Sequence, residues 1–259
     1  MSRKEAISAA FGAAAATYGA GADVQRAVAV RLADRVAALP RPARPRVLEI
    51  GCGTGFLTQA LRERLGAAAW TVTDLSPAMV EQCRATLGDP ADTRFLVMDG
   101  ERPTFPSASF DLVVSSLAVQ WFEDPVPALA RLVDLLRPGG HLAFATLAAD
   151  SFIEWRLAHA ELGLEDGMPR YGSAHDIQQV WPPGGRGQVD EERLSWPYPN
   201  GRVFLQDLKR IGARLPVPGH RPLPAGALRR VLRAFERPEG VTLTWHIAYG
   251  LFRREGVSA

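Results

Sequence analysis

The segment from Val47 to Gly55, with the sequence VLEIGCGTG, is the most informative part of this chain. It begins with a short apolar run that is typical of a buried strand, and helical spacing resumes just after it. Between the two, glycines stand at positions 51, 53 and 55. Alternate glycines let the backbone turn sharply and approach a ligand closely, where a Cβ atom would collide. The stretch therefore predicts a strand, a ligand-binding turn and a helix.

Proteins that bind dinucleotides and proteins that bind phosphates both use glycine-rich turns, but the spacing of the glycines here disfavours both classes. Dinucleotide-binding loops follow the pattern G-x-G-x-x-G, but Phe56 stands where the third glycine of that pattern belongs. Phosphate-binding loops need a Lys followed by Ser or Thr, and no lysine is nearby. Glu49 also suits a ligand with a cationic end better than a pyrophosphate.

Short apolar runs alternate with helical segments on the C-terminal side of this loop. Such alternation predicts right-handed βαβ units and a parallel sheet covered by helices on both faces. The predicted strands are Val47–Ile50, Trp70–Thr73, Arg94–Val97, Leu112–Ser115 and His141–Thr146, and the predicted helices are Leu57–Leu65, Pro77–Leu87 and Val126–Leu136, with a tight turn at Pro138–Gly140.

Two acidic residues follow the second and third predicted strands. Asp74 is placed to accept hydrogen bonds from both hydroxyls of a ribose, and Asp99 is placed to accept a hydrogen bond from an exocyclic amine. Either carboxylate alone could equally cap a helix. Because the carboxyl ends of parallel strands meet at one edge of a sheet, the two acids and the glycine loop together favour a ligand site.

These residues resemble the class I S-adenosylmethionine-dependent methyltransferases, and the resemblance covers residues 46–147. It implies a Rossmann-like α/β fold with a mostly parallel seven-stranded sheet, and S-adenosylmethionine as the cofactor without a metal. The glycine loop would hold the methionine part, Asp74 the ribose and Asp99 the adenine amine. The cofactor-binding residues that the resemblance implies are Glu49, Gly51, Gly53, Gly55, Asp74, Leu75, Met79, Asp99, Gly100, Ser116 and Leu117.

Segments outside this core are similar to one family, the malonyl-acyl-carrier-protein O-methyltransferases. They are residues 10–18, 22–25, 117–121, 208–213 and 243–246. The resemblance implies methyl transfer to the free carboxylate of a malonyl thioester, at the start of biotin synthesis. The malonyl carrier would be acyl carrier protein or coenzyme A.

The chain divides into four expected parts. An N-terminal helical cap (1–45) has a break at residues 18–21, with Asp23 capping its second helix, and the cofactor-binding core covers 46–147. An inserted lid (148–190) contains a helix and a glycine- and proline-rich stretch, and 191–259 completes the sheet. The elements expected beyond the core are helices at Ser151–Gly163, Val203–Leu215 and Leu228–Phe235 and strands at Leu194–Pro199 and Val241–Phe252.

The substrate side is expected to use residues from the cap and the lid. Tyr18 lies in the hinge between two covering helices and is the expected catalytic contact, although a packing role is the alternative. An arginine could hold the malonyl carboxylate bidentately, although surface arginines are common. The expected substrate-binding residues are Gln120, Trp121, Arg156, His159, Arg170 and Lys209.

Composition excludes several classes of function. The chain has 259 residues, 47% apolar and 22% charged, which is typical of a soluble globular protein. With 30 Lys and Arg against 28 Asp and Glu, its overall charge is nearly balanced, which argues against a general polyanion binder. No apolar run is long enough to span a membrane, and neither the two cysteines nor the histidines have metal-ligand spacing. We therefore expect a cytoplasmic enzyme with no nucleic-acid, membrane or metal partner.

Two alternatives stay open at this stage. The acceptor could be another small carboxylic acid, a quinone carbon or a natural-product hydroxyl. A hydroxyl acceptor would need a basic side chain near Ser116 and Gln120, and none is evident there. The chain could also be a cofactor-binding scaffold without turnover, but its complete glycine loop and both acids count against that interpretation.

Overall fold

The computed structural model describes residues 2–213, 215–236 and 240–256. These residues form a seven-stranded sheet with the order β3-β2-β1-β4-β5-β7-β6, in which β7 runs antiparallel to both of its neighbours and the other pairs are parallel. The predicted α/β fold with a mostly parallel sheet is therefore confirmed. The strands are β1 (Arg46–Ile50), β2 (Ala69–Asp74), β3 (Thr93–Val97), β4 (Phe110–Ser116), β5 (Leu136–Leu147), β6 (Gly185–Tyr198) and β7 (Val241–Arg254).

Helices cover both faces of this sheet. Alternate residues of a strand point to opposite faces, so Leu112 and Val114 of β4 join one core cluster while Val113 joins the other. The first cluster is covered mainly by α2, α3, α6, α8 and α9, and the second mainly by α5. The helices are α1 (Arg3–Ala14), α2 (Asp23–Ala37), α3 (Phe56–Leu65), α4 (Pro77–Leu87), α5 (Pro125–Asp134), α6 (Ile153–Ala160), α7 (Ala174–Gln179), α8 (Gly201–Arg210) and α9 (Ala225–Phe235).

The N-terminal helices form a cap over the carboxyl edge of the sheet. Ser8 of α1 donates a hydrogen bond to the Leu75 carbonyl just after β2, and Phe11 packs edge-on against Trp121 after β4. The break between α1 and α2 falls in the predicted hinge, as a short 3₁₀ turn at Tyr18–Ala20. This cap covers the edge of the sheet where both predicted acids lie.

One detail of the cap was wrongly predicted. Ala22, not Asp23, occupies the N-cap of α2, and no side chain caps this helix. Asp23 is instead the first helical residue, where its negative charge still favours the positive end of the helix dipole.

The later part of the sheet differs more from the prediction. Strand β6 starts nine residues before the expected Leu194, and its backbone pairs with β7 from Gly185 to Tyr198. Because β6 is an edge strand whose first half is rich in charged residues and glycine, it lacks the apolar signal of a buried strand. The predicted turn at residues 138–140 lies inside β5, and α7 interrupts the segment expected to be irregular.

Candidate functional site

The glycine loop between β1 and α3 has the backbone that its glycines predict. Gly51 and Gly53 adopt φ angles of 69° and 52°, in the left-handed region that favours glycine. A Cβ atom on Gly51 would collide with the Ala118 side chain, and one on Gly53 would face the ring of Tyr18. Side chains at these two positions would therefore fill the space in front of the loop.

Asp74 ties this loop to the end of β2. Its two carboxylate oxygens accept hydrogen bonds from the backbone amides of Gly53 at 2.9 Å and Ser76 at 2.8 Å. Burial raises the pKa of Asp74, although these amides and that of Leu75 act in the opposite direction. A carboxylate can accept about four hydrogen bonds, so Asp74 retains capacity for two ligand hydroxyls.

Asp99 is held by a residue that the sequence analysis did not identify. Lys4 of α1 places its Nζ atom 2.5 Å from Asp99 Oδ2 and 2.6 Å from Glu101 Oε2. Burial tends to lower the pKa of Lys4, but its bonds to the two carboxylates outweigh burial and raise it. Lys4 is one of two lysines in the chain, yet nothing local in the sequence links residue 4 to residue 99.

A cavity lies between the glycine loop, the ends of β2 to β4, and α1; we call it the loop cavity. Nine of the eleven predicted cofactor residues line it, and they form about half of its wall. They are Gly51, Gly53, Asp74, Leu75, Met79, Asp99, Gly100, Ser116 and Leu117, and Lys4, Ile7, Phe11, Tyr18, Ile50, Met98, Glu101, Ala118, Trp121 and Phe122 complete the lining.

The other two predicted cofactor residues, Glu49 and Gly55, are not among the described residues that line the loop cavity. Glu49 is 1% exposed, and its Oε2 accepts a 2.6 Å hydrogen bond from the Thr58 hydroxyl. Burial raises the pKa of Glu49 to about 8, with the nearby Asp74 charge adding to the effect and the Thr58 bond opposing it. Gly55 starts α3 with a φ of 96°. Direct contact of either residue with a cofactor stays a prediction.

A second cavity opens beneath the hinge of the cap; we call it the cap cavity. Its lining combines residues of the cap, α6, α8 and the segments that flank them, and most of them are apolar. They are Phe11, Tyr18, Gln25, Leu117, Gln120, Trp121, Leu147, Phe152, Trp155, Asp166, Gly167, Met168, Pro169, Tyr171, Leu205, Leu208, Ile211, Ala213, Leu215, Pro216, His220 and Trp245.

Four residues line both cavities, so the two spaces meet. They are Phe11, Tyr18, Leu117 and Trp121. Leu117 adopts a φ of 53°, which is strained for a leucine and is typical of backbone held in place at a functional site. Burial raises the pKa of Tyr18, and the Asp74 charge adds to the effect. The Tyr18 hydroxyl therefore stays protonated and can act as a hydrogen-bond donor at this junction.

The polar groups of the cap cavity are mostly uncharged. No Lys or Arg stands among the described residues that line it, and its one carboxylate, Asp166, already accepts bonds from the Met168 amide and Arg170. Gln120 accepts a hydrogen bond on Oε1 from the Thr146 hydroxyl, which leaves its amide NH₂ group to donate. Tyr18 and Gln120 thus supply neutral donors to this cavity.

The structure does not bring the four basic residues of the predicted substrate site into the cap cavity. The Arg156 guanidinium donates to the Ala149 and Pro169 carbonyls, which ties α6 to the loop that forms one wall. His159 is buried, with Nδ1 2.8 Å from the Trp155 carbonyl oxygen. Lys209 is exposed on α8, and Arg170 lines a neighbouring cavity behind Tyr171. Their contacts with substrate stay predictions, whereas Gln120 and Trp121 do line the cavity.

Two polar lining residues, Gln25 and His220, were not expected at the site. They come from distant parts of the chain, and only tertiary packing brings them together. Among the residues described, no group of three or more His, Cys, Asp or Glu side chains is arranged to hold a metal ion. The described helices also include none with the length and apolar character needed to cross a bilayer.

The raised pKa of Glu49 predicts a pH dependence of stability. Between the ordinary pKa of 4.5 and about 8, the folded protein keeps a proton on Glu49 that the unfolded chain has lost. This contribution to stability is complete below pH 4.5 and is lost as the pH rises through 8. We expect the free energy of unfolding of Glu49→Gln to rise relative to wild type between pH 5 and pH 8.5.

Urea denaturation across this pH range measures the difference. Glu81→Gln, which changes an exposed glutamate, serves as the control and should track wild type at every pH. A constant difference between Glu49→Gln and wild type would show that Glu49 is ionised throughout the range.

Comparison with known proteins agrees with this geometry. Residues 48–144 match the family model described as a methyltransferase domain. The chain is 51% identical, over 94% of its length, to the biotin biosynthesis bifunctional protein BioCD of Bordetella avium, of which it covers 51%. The chain therefore spans about half the length of that relative. It is 43% identical to the malonyl-[acyl-carrier protein] O-methyltransferase of Magnetococcus marinus, over 93% of this chain and 89% of that protein.

Solved structures support the same fold. The YcgJ protein of Bacillus subtilis superposes with a TM-score of 0.64 at 18% identity, covering 88% of this chain and 98% of the other. A putative methyltransferase of Bacillus halodurans also gives a TM-score of 0.64, at 13% identity, over 88% and 99% of the two chains. At these identities the structures show the fold alone, whereas the relatives show the family. The chain belongs to the malonyl-[acyl-carrier protein] O-methyltransferase family of S-adenosylmethionine-dependent methyltransferases.

Proposed function

We propose that this protein transfers a methyl group from S-adenosylmethionine to the free carboxylate of a malonyl group carried as a thioester on acyl carrier protein. The observation that carries the proposal is the meeting of two cavities at Tyr18, one lined by cofactor-type residues and one by neutral donors and apolar groups. The similarity to proteins named malonyl-[acyl-carrier protein] O-methyltransferase over most of their length supports the same acceptor.

The residues of the loop cavity fit the proposed cofactor. Absence of a Cβ atom at Gly51 leaves the space in front of the loop free, and Asp74 has unused acceptor capacity for the two ribose hydroxyls. Asp99 would accept the adenine amine beside Lys4, and Leu75 and Met79 would flank the base. The bound cofactor supplies a methyl group on a sulfonium centre.

The acceptor needs no general base in this mechanism. A malonyl carboxylate is ionised at neutral pH because ordinary carboxyl pKa values lie near 4. Bidentate pairing with an arginine would occupy the carboxylate oxygens that must attack carbon. Neutral donors such as Tyr18 and Gln120 can hold one oxygen while the other remains a nucleophile.

Catalysis would then come from positioning and from exclusion of water. Methyl transfer would neutralise the negative charge of the carboxylate and the positive charge of the methyl donor. The transition state would then carry less charge than the reactants, and exclusion of water would favour it. The apolar lining of the cap cavity, including Phe152, Trp155 and Leu208, provides such surroundings. The cap would hold the two reactants in line at Tyr18.

A labelled-methyl assay tests the proposal directly. The protein would be supplied with methyl-labelled S-adenosylmethionine and, in parallel, malonyl-acyl carrier protein, malonyl-coenzyme A, acetyl-coenzyme A and free malonate. We expect base-labile label on the malonyl thioesters and none on acetyl-coenzyme A, which lacks the free carboxylate. Label on none of them, with cofactor binding intact, would contradict the proposed acceptor.

Removal of the Asp74 carboxylate should abolish cofactor binding. Asp74→Ala loses acceptor sites for two hydroxyls and releases the Gly53 amide, and a hydrogen bond to a charged group contributes about 1.5–3 kcal/mol. We therefore expect the dissociation constant for S-adenosylmethionine to rise roughly 100-fold or more by calorimetric titration. Asp190→Ala, at an exposed position on β6, is the control and should bind like wild type. Tight binding by Asp74→Ala would overturn the ribose assignment.

Removal of the Tyr18 hydroxyl should affect turnover and spare cofactor binding. Tyr18→Phe keeps the ring that packs near Phe56 but loses the donor at the junction of the cavities. We expect kcat to fall about tenfold or more with the S-adenosylmethionine dissociation constant unchanged. Tyr249→Phe, whose hydroxyl contacts Glu192 instead, should keep wild-type kcat. Wild-type turnover by Tyr18→Phe would remove the hydroxyl from the mechanism.

A further inference from the structure

Basic charge is concentrated in one segment of the chain. Residues 201–236 hold eight Lys and Arg side chains and two Asp and Glu, a net charge of +6, whereas the entire chain carries +2. The rest of the protein is therefore net negative. The segment comprises α8, α9 and their connection, which follow one another along the chain and contact each other.

The basic side chains of this segment are exposed and largely unpaired. Among the ion pairs that the described residues form, Arg210 of this segment pairs with Asp207, and the other described basic side chains of the segment form none. Exposed in this way are Arg202, Lys209, Arg221, Arg229, Arg230 and Arg233. Such a surface attracts a negatively charged partner rather than stabilising the fold.

A groove runs between α8 and α9 in the middle of this charge. Its floor is apolar, with Leu205, Leu228 and Leu232, and Arg202 and Arg229 stand in its walls. An apolar centre with a charged rim is the usual anatomy of a protein–protein interface. A surface for single-stranded nucleic acid would instead present aromatic rings for base stacking, and no aromatic residue stands among the described residues that line this groove.

The groove and the cap cavity share a wall. Leu205 of α8 lines both spaces, and Leu208, one turn further on, lines the cap cavity. A protein seated on the groove would therefore lie directly beside the space proposed for the malonyl group.

We propose that the groove between α8 and α9, with its rim of arginines, is the docking site for an acidic face of the acyl carrier protein. This inference rests on the proposed function, because it assigns the surface that recognises the carrier of the malonyl group. The basic rim attracts the carrier from outside, and the cap cavity receives only the end of its arm. Recognition of the carrier is thereby separated from recognition of the carboxylate.

Neutralising the arginines of α9 tests the docking site. The variant Arg229→Gln/Arg230→Gln/Arg233→Gln changes residues outside both cavities. The matched control, Arg44→Gln/Arg94→Gln/Arg253→Gln, removes three exposed arginines near the opposite edge of the sheet, where β1 and β3 begin and β7 ends. Each protein would be assayed with malonyl-acyl carrier protein and with malonyl-pantetheine, which carries the arm without the protein or its phosphate.

We expect the KM for malonyl-acyl carrier protein to rise roughly tenfold in the α9 variant, with kcat and all constants for malonyl-pantetheine unchanged. The control variant should match wild type with both substrates. An unchanged KM for malonyl-acyl carrier protein, or an equal rise for both substrates, would overturn the docking site. Binding of single-stranded RNA would be measured as well. If the α9 variant lost affinity for RNA while its KM for malonyl-acyl carrier protein stayed unchanged, the docking site would also be overturned.

Salt dependence keeps the test decisive if the triple variant fails to fold. In the wild-type protein, the KM for malonyl-acyl carrier protein should rise steeply with sodium chloride while that for malonyl-pantetheine stays nearly flat. Parallel salt curves would contradict the docking site. Wild-type protein that methylates neither substrate would instead refute the proposed function, so the two failures are distinguishable.

Discussion

The hydrogen bond from the Gly53 amide to the Asp74 carboxylate is the interaction on which the site depends. It joins the glycine loop after β1 to the end of β2, at the carboxyl edge of the parallel sheet. The left-handed backbone of Gly51 and Gly53 makes this approach possible, because a side chain at Gly51 would meet Ala118. The same carboxylate also fixes the Ser76 amide at the start of α4. The shape of the loop cavity therefore follows from two glycines and one acid.

Charged side chains are distributed differently on the surface and in the interior of the substrate side. Arginines are concentrated on the surface of α8 and α9, whereas the described lining of the cap cavity contains neither arginine nor lysine. In the proposed mechanism, a carboxylate held by the neutral donors Tyr18 and Gln120 would keep its nucleophilic oxygen free, and the apolar walls would favour a transition state in which the opposite charges are partly neutralised. The surface arginines would therefore attract an acidic carrier without pairing with the malonyl carboxylate in the cap cavity.

The fold of the core and the positions of most residues predicted for the cofactor side could be derived from the sequence, because both depend on local patterns. Alternating glycines, apolar strands and acids at strand ends are read from short stretches, and nine of the eleven predicted cofactor residues line the loop cavity. Three kinds of feature could not be predicted from local sequence patterns, for physical reasons. The first half of β6 is an exposed edge strand without an apolar pattern; the Lys4–Asp99 pair joins residues that only the cap brings together; and Arg156 uses its guanidinium to bind backbone carbonyls. Burial and tertiary packing decide such features, and neither is visible in a local pattern.

In the proposed reaction the loop cavity holds the cofactor, and the methyl group passes to the cap cavity at Tyr18. A crystal structure of the protein with S-adenosylhomocysteine, the demethylated cofactor, would test this arrangement. We predict the ribose on Asp74, the adenine between Leu75 and Asp99, and the sulfur atom at the junction, facing the cap cavity beside Tyr18 and Leu117. A sulfur atom that faces away from the cap cavity, or a ligand bound outside the loop cavity, would contradict the account.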